Sequence, residues 1–527
     1  MTYQESILSL LIFVPLAGFF IAALLPRSQE QSIKIVTLVV TSAVFILSIP
    51  MFVMFDGSTA AMQFVYRTDW IPSWGASYSV GLDGLSLLLV LLTTFTMPFS
   101  VLASWKSVHG NVKGFMLSLL LLEFGMIGVF VVRDMLLFYV FWEAMLIPMY
   151  LLIGIWGHEE RIKAAVKFFI YTMAGSLLML VAILYMYFQT GPVMAGGQVV
   201  SAHSFDMDAF YGLGIPMDIQ RWLFLAYALA FAIKVPMFPF HTWLPLAHVE
   251  APTAGSVILA GILLKMGTYG FLRFCIPYFP IVSMEYVPLF SVVAIIGVIY
   301  GALVAMVQPD AKKLVAYSSV SHLGYVMLGI FAMTIQGWQG GLIQMINHGV
   351  STGALFLMIG MLYDRRHTRL IEKFGGLWKV MPVFSVIFLV VCLSSLGLPG
   401  TNGFVGEFLI LIGTFNSVND HSKIYAAIAM VGVILAAVYL LWMYQRMMYG
   451  EVSHEENKGL ADLSKREYAV ILPFVILIFW LGVYPKTFMD KTEATMDHYL
   501  KGYKTAVEQY QQQQDSKAKI LPARLQE

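Results

Sequence analysis

The stretch Ala232-Ile233-Lys234-Val235-Pro236-Met237-Phe238-Pro239-Phe240-His241-Thr242-Trp243-Leu244-Pro245 poses the problem that the rest of the chain must solve. It lies in an apolar segment from about residue 221 to 246, long enough to cross a bilayer, yet it carries a lysine and a series of prolines. Proline lacks a backbone donor and clashes with the carbonyl four residues back, so a helix through Pro236 and Pro239 must open in mid-membrane. Unwound backbone at that depth survives only where it is buried in protein or lines a wet cavity. A second break is predicted at Leu398-Pro399-Gly400-Thr401-Asn402-Gly403, where Gly400 and Asn402 tolerate unusual dihedrals.

The surrounding composition fits that reading. The 527 residues are 59% apolar and 12% charged, with a mean hydropathy of +0.77, whereas soluble domains carry roughly a quarter charged residues. The predicted fold is an all-α polytopic membrane protein. Lys and Arg number 32 against 31 Asp and Glu, which excludes a basic nucleic-acid footprint. Cys275 and Cys392 lie far apart in apolar runs, so no CxxC pair, zinc knuckle or iron–sulfur ligand set can be assembled from this chain.

Apolar stretches place spans near 7–25, 34–54, 81–103, 114–132, 134–156, 168–189, 221–246, 253–274, 286–308, 313–335, 340–362, 381–414, 423–446 and 468–489, about fourteen in all. The first has no basic residue before it and no small-residue cleavage site after it, so it reads as a retained helix. Loops on one side, among them those with Lys106, Arg161, Lys312, Arg365, Arg369 and Arg446, hold about 18 basic residues; the opposite loops, with Arg67, Arg133, Arg221, Arg273 and Lys423, hold about 5. Basic loops stay in the cytoplasm, so both termini are expected to face outward. The tail beyond residue 489 reads as a solvated, partly helical appendage, and Arg133 with Asp134 as an ion pair at a helix end.

A charge in mid-bilayer costs at least about 2.5 to 3.5 kcal/mol, which makes each one a functional candidate. Glu143, Lys234, Lys265, Glu407, His322 and His348 all fall near the middle of their spans. They form a row in the membrane plane. Ion pairs that merely hold helices together are the bland alternative, and Glu123 either joins the row or pairs locally. Histidine, with an ordinary pKa near 6.5, can relay a proton either way; haem ligation by His322 and His348 is a rival use. His241 and His248 are read as hydrogen-bonded loop residues. The two breaks lie about 160 residues apart, and the spans beginning near 114 and 286 about 170 apart, which suggests two five-helix units of inverted topology. The organisation is then 1–113, three N-terminal helices; 114–274, the first unit; 286–450, the second; and 451–527, a last helix and tail.

Several motifs are more specific. Gly81-Leu82-Asp83-Gly84-Leu85-Ser86, Phe141-Trp142-Glu143, Lys234-Val235-Pro236 through Pro245, and Ala247-His248-Val249-Glu250-Ala251-Pro252-Thr253-Ala254-Gly255-Ser256-Val257 resemble the antiporter-like membrane subunits of respiratory complex I. So do Lys312-Lys313-Leu314, Ser318-Ser319-Val320-Ser321-His322 and Leu398-Pro399-Gly400 with Gly406-Glu407-Phe408, and the resemblance runs from about residue 80 to 450. Leu246 departs from the Asp that follows Trp-Leu-Pro in many members.

The resemblance implies fourteen helices with inverted repeats and a role in proton translocation. It assigns that role to Glu143, Lys234, Lys265 and Glu407, with His322 and His348 as intermediates. It also implies that this chain holds no cofactor, while NADH, FMN, iron–sulfur clusters and quinone belong to partner subunits. The partners implied are other complex I membrane subunits, related antiporter-like ones included, within the lipid bilayer and without nucleic acid. Glu143 and Lys234 are expected to form a coupled pair. Two other functions stay open: a subunit of a multisubunit sodium/proton antiporter, in which the same lysines would serve cation exchange, or a purely structural anchor for a membrane-bound hydrogenase or dehydrogenase arm, which would not need them.

Overall fold

Runs of about twenty apolar residues satisfy their backbone hydrogen bonds internally and therefore fold as helices. The computed structural model describes residues 2–195 and 198–524. Two long helices open the chain, α1 (Tyr3–Leu24) and α2 (Glu30–Met54), followed by an antiparallel hairpin of β1 (Gln63–Ile71) and β2 (Ala76–Leu82). Next come α3 (Gly84–Ala103), α4 (Val112–Val131), α5 (Met135–Ala144), α6 (Leu146–Trp156) and α7 (Arg161–Tyr187), then a small hairpin of β3 (Val193–Ala195) and β4 (Gln198–Ser201). The middle holds α8 (Met217–Lys234), α9 (Trp243–Glu250), α10 (Thr253–Ile258), α11 (Leu264–Gly270), α12 (Ile276–Tyr278), α13 (Pro280–Met306), α14 (Ala311–Phe331) and α15 (Ile335–Arg366). The chain ends with α16 (Leu377–Val380), α17 (Pro382–Ser395), α18 (Asn402–Phe415), α19 (Ser422–Met448), α20 (Lys465–Val483), α21 (Lys486–Met489) and α22 (Glu493–Arg524).

Among the described residues twelve helices are long and apolar enough to cross a membrane, counting α5 with α6, and Thr253–Tyr278 as one. The two other apolar segments predicted as spans are interrupted. Helix α8 stops at Lys234, and helix resumes only at Trp243. Helix α17 stops at Ser395 and α18 starts at Asn402, with Gly397 and Gly400 between them at φ +81° and +90°, a backbone that side chains with a Cβ rarely adopt.

Thr253–Tyr278, α14 and α15 lie at the centre with almost every residue covered. Helices α1, α2, α7, α19 and α20 form the outside and expose large apolar side chains such as Val39, Ile46, Val181, Ile434 and Ile476. The Lys- and Arg-rich loops gather on one face, here the basic face; the strand hairpins mark the opposite, hairpin face.

Basic residues close helix ends. Lys113 Nζ donates to the carbonyls of Ala23 and Leu25 beyond α1 at 2.6 and 2.8 Å, and Lys34 Nζ to Trp105 beyond α3 at 2.8 Å. Arg466 donates to Leu102 at 3.0 Å. On the hairpin face Lys491 donates to Phe55 beyond α2 at 2.6 Å. The last carbonyls of a helix lack intrahelical donors, which is what these cations supply.

Several sequence expectations change. Gly81 and Leu82, placed at the start of the third span, belong to β2, and α3 begins after Asp83, whose carboxylate accepts from the Leu85 and Ser86 amides at 3.1 Å. Arg133 and Asp134 do not pair: Arg133 bonds Asp208, while Asp134 caps α5 through the Leu136 and Leu137 amides. Arg273 is no loop residue. It is buried and grips Asp83 through both guanidinium nitrogens at 2.6 and 2.7 Å, with Ser86 and the Tyr269 and Tyr499 hydroxyls around it. The tail is helical throughout Glu493–Arg524, and its first turns dock through buried Met496, Leu500 and Tyr503.

Candidate functional site

Lysine 265 sits on α11, a seven-residue segment between two π-turns, Leu259–Leu263 and Phe271–Cys275. A π-turn inserts one extra residue per turn and leaves carbonyls out of the α register. The Ala260 carbonyl, five residues back, accepts from Lys265 Nζ. The same Nζ lies 2.6 Å from His348 Nδ1 on α15. The His348 ring faces that of His322, on α14, at 5.9 Å between centroids. His322 Nδ1 in turn lies 2.9 Å from Glu407 Oε1 on α18, and its Nε2 3.4 Å from the Tyr439 hydroxyl. Lys265, His348, His322 and Glu407 are thus one continuous buried series.

The interruption before α18 lets this series form. Gln344 Nε2 donates to Glu407 Oε1 at 3.2 Å, and Asn347 donates to the Asn402 carbonyl in the first turn of α18 at 2.6 Å. The Ser351 and Ser394 hydroxyls are 2.6 Å apart, and both reach the Asn402 side chain. His322, His348 and these polar residues line a cavity of about 10 Å³. That is room for about one water, and far too small for a porphyrin.

Glu143 and Lys234 are not in direct hydrogen-bond contact. Both belong to the row by depth, but no ion pair joins them: Lys234 Nζ has no hydrogen-bond partner and instead lies 5.2 Å from the Trp142 ring and 5.8 Å from that of Phe168. Cation–π attraction substitutes in part for the lost solvation. One oxygen of Glu143, Oε1, is buried without a partner. Lys234 ends α8 directly before Pro236, so the break positions it; there α8 and α11 nearly touch, since a Cβ on Gly267 would fall 2.6 Å from the Phe231 carbonyl. Pro239 follows in the non-helical stretch, and Pro399 with Gly400 in the other.

Sequence reasoning missed two participants. His248 is fully buried on α9, stacked on Phe356 at 4.7 Å with neither ring nitrogen hydrogen-bonded, and His241 Nδ1 is also unpartnered, so neither is the bonded loop residue expected. Lys312, expected in a loop, is buried at the start of α14 and donates to the Ala251 carbonyl at 2.5 Å. A polar cavity of about 640 Å³ on the basic face is lined by His158, Glu250, Asp310, Tyr363, His367 and Arg369. Burial and the nearby Lys312 and Arg369 charges hold the His158 ring down at about 4. Glu123 on α4 is buried, and neither carboxylate oxygen has a partner; Phe124 packs on Phe141 at 5.1 Å, which puts Glu123 near the depth of Glu143. Among the described residues no group of three His, Cys, Asp or Glu is arranged to hold a metal.

A helical membrane protein with interrupted helices and a buried mid-depth series of lysine, histidine and glutamate is built to handle ions or protons inside the bilayer. The chain belongs to the NADH:quinone oxidoreductase/Mrp antiporter transmembrane family, whose model matches residues 132–436. It is 45% identical to NADH-quinone oxidoreductase subunit M of Rhodobacter capsulatus over 95% of this chain and 97% of that one. A chain of respiratory complex I from Thermus thermophilus with bound NADH superposes with a TM-score of 0.84 at 33% identity, covering 94% of this chain and 99% of that chain. A chain of the Mrp complex from Dietzia sp. DQ12-45-1b shares the fold alone, with a TM-score of 0.81 at 20% identity over 95% and 100% of the two chains.

Proposed function

We propose that this chain is a proton-translocating, antiporter-like membrane subunit of an NADH:quinone oxidoreductase. The unbroken series Lys265–His348–His322–Glu407 carries that reading. Each neighbour is within hydrogen-bond reach or one water away, so a proton leaving the Lys265 ammonium has an acceptor in His348 Nδ1. The imidazole pair passes it toward Glu407 through the one-water cavity. Glu143 on α5 and Lys234 at the end of the other broken helix load the series. Charges about 8 Å apart interact by about 2 kcal/mol at an effective dielectric near 20, enough to bias a neighbour but not to drive a proton uphill. The energy therefore comes from partner subunits, which hold the NADH, FMN, iron–sulfur and quinone chemistry.

In this reading the two interrupted segments bring the spans to fourteen, arranged as inverted five-helix repeats over 114–274 and 286–450. The basic face is cytoplasmic, both termini are periplasmic, and the neighbours are other membrane subunits of the complex. A multisubunit sodium/proton antiporter is the second reading, favoured by the family's breadth and the Mrp fold likeness.

The test is proton uptake per NADH oxidised in sealed vesicles carrying Lys265→Met, Lys234→Ala or Glu143→Ala complexes. Loss of pumping with NADH oxidation by an artificial acceptor retained is the expected outcome. Full pumping by Lys265→Met overturns the proposal, and sodium-dependent transport without copurifying flavin favours the alternative.

A further inference from the structure

A large apolar recess has no part in the row. It lies between α2 and α20 with a floor of α3 and α15, a space of about 460 Å³ lined almost entirely by carbon. Phe45 and Phe52 form one wall, Pro473 and Trp480 the other, and Leu88 to Phe99 the floor. Ile46 and Ile49 on one side and Ile476 and Trp480 on the other are among the exposed large apolar residues, so the recess opens outward between two peripheral helices.

Its length is informative. On α3 the lining runs from Leu88 to Phe99, about 16 Å at 1.5 Å per residue or half of the roughly 30 Å hydrocarbon core, centred on the helix. The walls, Phe45–Phe52 on α2 and Pro473–Leu481 on α20, belong to the halves of those helices nearer the hairpin face. There the recess ends at Phe52, Trp480 and Phe488, amphipathic and aromatic side chains suited to an interface. An apolar slot of this length and of about 460 Å³ has the dimensions of a single acyl chain.

The rim adds chemistry. Lys491 Nζ lies 5.8 Å from the Phe52 ring and spends one proton on the Phe55 carbonyl, leaving two donors free. Asp56 adjoins Phe55, and Gly57 packs against the backbone of Asp490, so a cation stands beside two exposed carboxylates. A phosphate fits the ammonium, and a primary amine fits the carboxylates. Asp56 Oδ1 already accepts from the Ser58 amide and hydroxyl at 2.9 and 2.7 Å; a headgroup without an amine would bring no cation to Asp56 Oδ2 or to Asp490.

We infer that this recess binds an outer-leaflet zwitterionic phospholipid of the phosphatidylethanolamine type, one acyl chain filling the slot and the headgroup spanning Lys491, Asp56 and Asp490. The floor residues Ile346 and Val350 lie on either side of His348 along α15, so the bound chain also backs the helix that carries part of the row. Hydrocarbon there excludes water from that side.

Phosphatidylethanolamine with a diazirine at the end of one acyl chain, photolysed in vesicles containing the whole complex, tests this. Peptides spanning Leu88–Phe99 and Pro473–Leu481 should be labelled several-fold above those around Leu177 and Val181, which expose apolar side chains on α7. Unlabelled phosphatidylethanolamine should compete and phosphatidylglycerol should not; Leu91→Trp, which fills the slot, should abolish the excess label, and Lys491→Gln should reduce it several-fold. Labelling no higher than at α7, equal competition by phosphatidylglycerol, or cross-linking of these peptides to another subunit would each overturn the inference. If Leu91→Trp does not assemble, competition on the unmodified complex still decides.

Discussion

Removing one member of a buried charged pair leaves the other without compensation, and Arg273 with Asp83 is the clearest case. Arg273→Ala should cost about 3–5 kcal/mol, read as a lower midpoint of thermal release of this subunit from the purified complex. Replacing both, as Asp83→Asn with Arg273→Met, should recover much of that loss, because apolar packing often equals a buried ion pair. His158 supports a prediction on pH. Its ring is held at about 4, below the ordinary 6.5, by burial and by the Lys312 and Arg369 charges, with Glu250, Asp310 and His367 also facing the cavity. The neutral ring is thus favoured in the fold, so its contribution to stability is complete above pH 6.5 and is lost as pH falls through about 4. His158→Gln should flatten that decline in thermal unfolding scans between pH 7 and 4.

Among elements, the contact of α8 with α11 is a close joint beside the row. Gly267→Val places a branched side chain where a Cβ alone would already lie 2.6 Å from the Phe231 carbonyl and from Val235 Cγ2. Overpacking of this kind costs about 1–3 kcal/mol or more, and here it also parts Lys234 from Lys265. Proton pumping per NADH should fall several-fold while the complex still assembles, as measured by acidification against NADH oxidation. Both broken helices were legible beforehand, because Pro236 and the Pro399-Gly400 pair forbid a continuous ladder whatever surrounds them. The π-turns beside Lys265 were not. Leu259–Leu263 and Phe271–Cys275 have the composition of any apolar helix, and a shift of hydrogen-bond register carries no residue signature.

For the whole molecule, the depth of each charge was readable from its place in a span, but lateral position was not. Depth follows from counting residues at 1.5 Å each; which helices adjoin depends on tertiary packing. That is why the order of contacts from Lys265 through His348 and His322 to Glu407 could not be read in advance, nor the absence of a hydrogen bond between Glu143 and Lys234, and why buried His248 and Lys312 passed for loop residues. Orientation is open to direct measurement, since Cys275 and Cys392 are both buried and give little background. Ala60→Cys, near the hairpin face, should react with an impermeant maleimide in intact cells, and Thr368→Cys, on the basic face, only after lysis. The reverse pattern would invert the proposed topology.

The lysines at the helix ends carry an implication for how such a chain can vary. A loop's positive charge is portable: moving it a few residues leaves membrane orientation unchanged, since only the total near the span matters. The bond from Lys113 to Ala23 and Leu25 is not portable, because it needs an ammonium at one point in space. A variant that exchanges Lys113 with Asn111 keeps the loop's net sign and would insert the same way round, yet the end of α1 would fray. Substitution tables built on charge alone would score that exchange as silent.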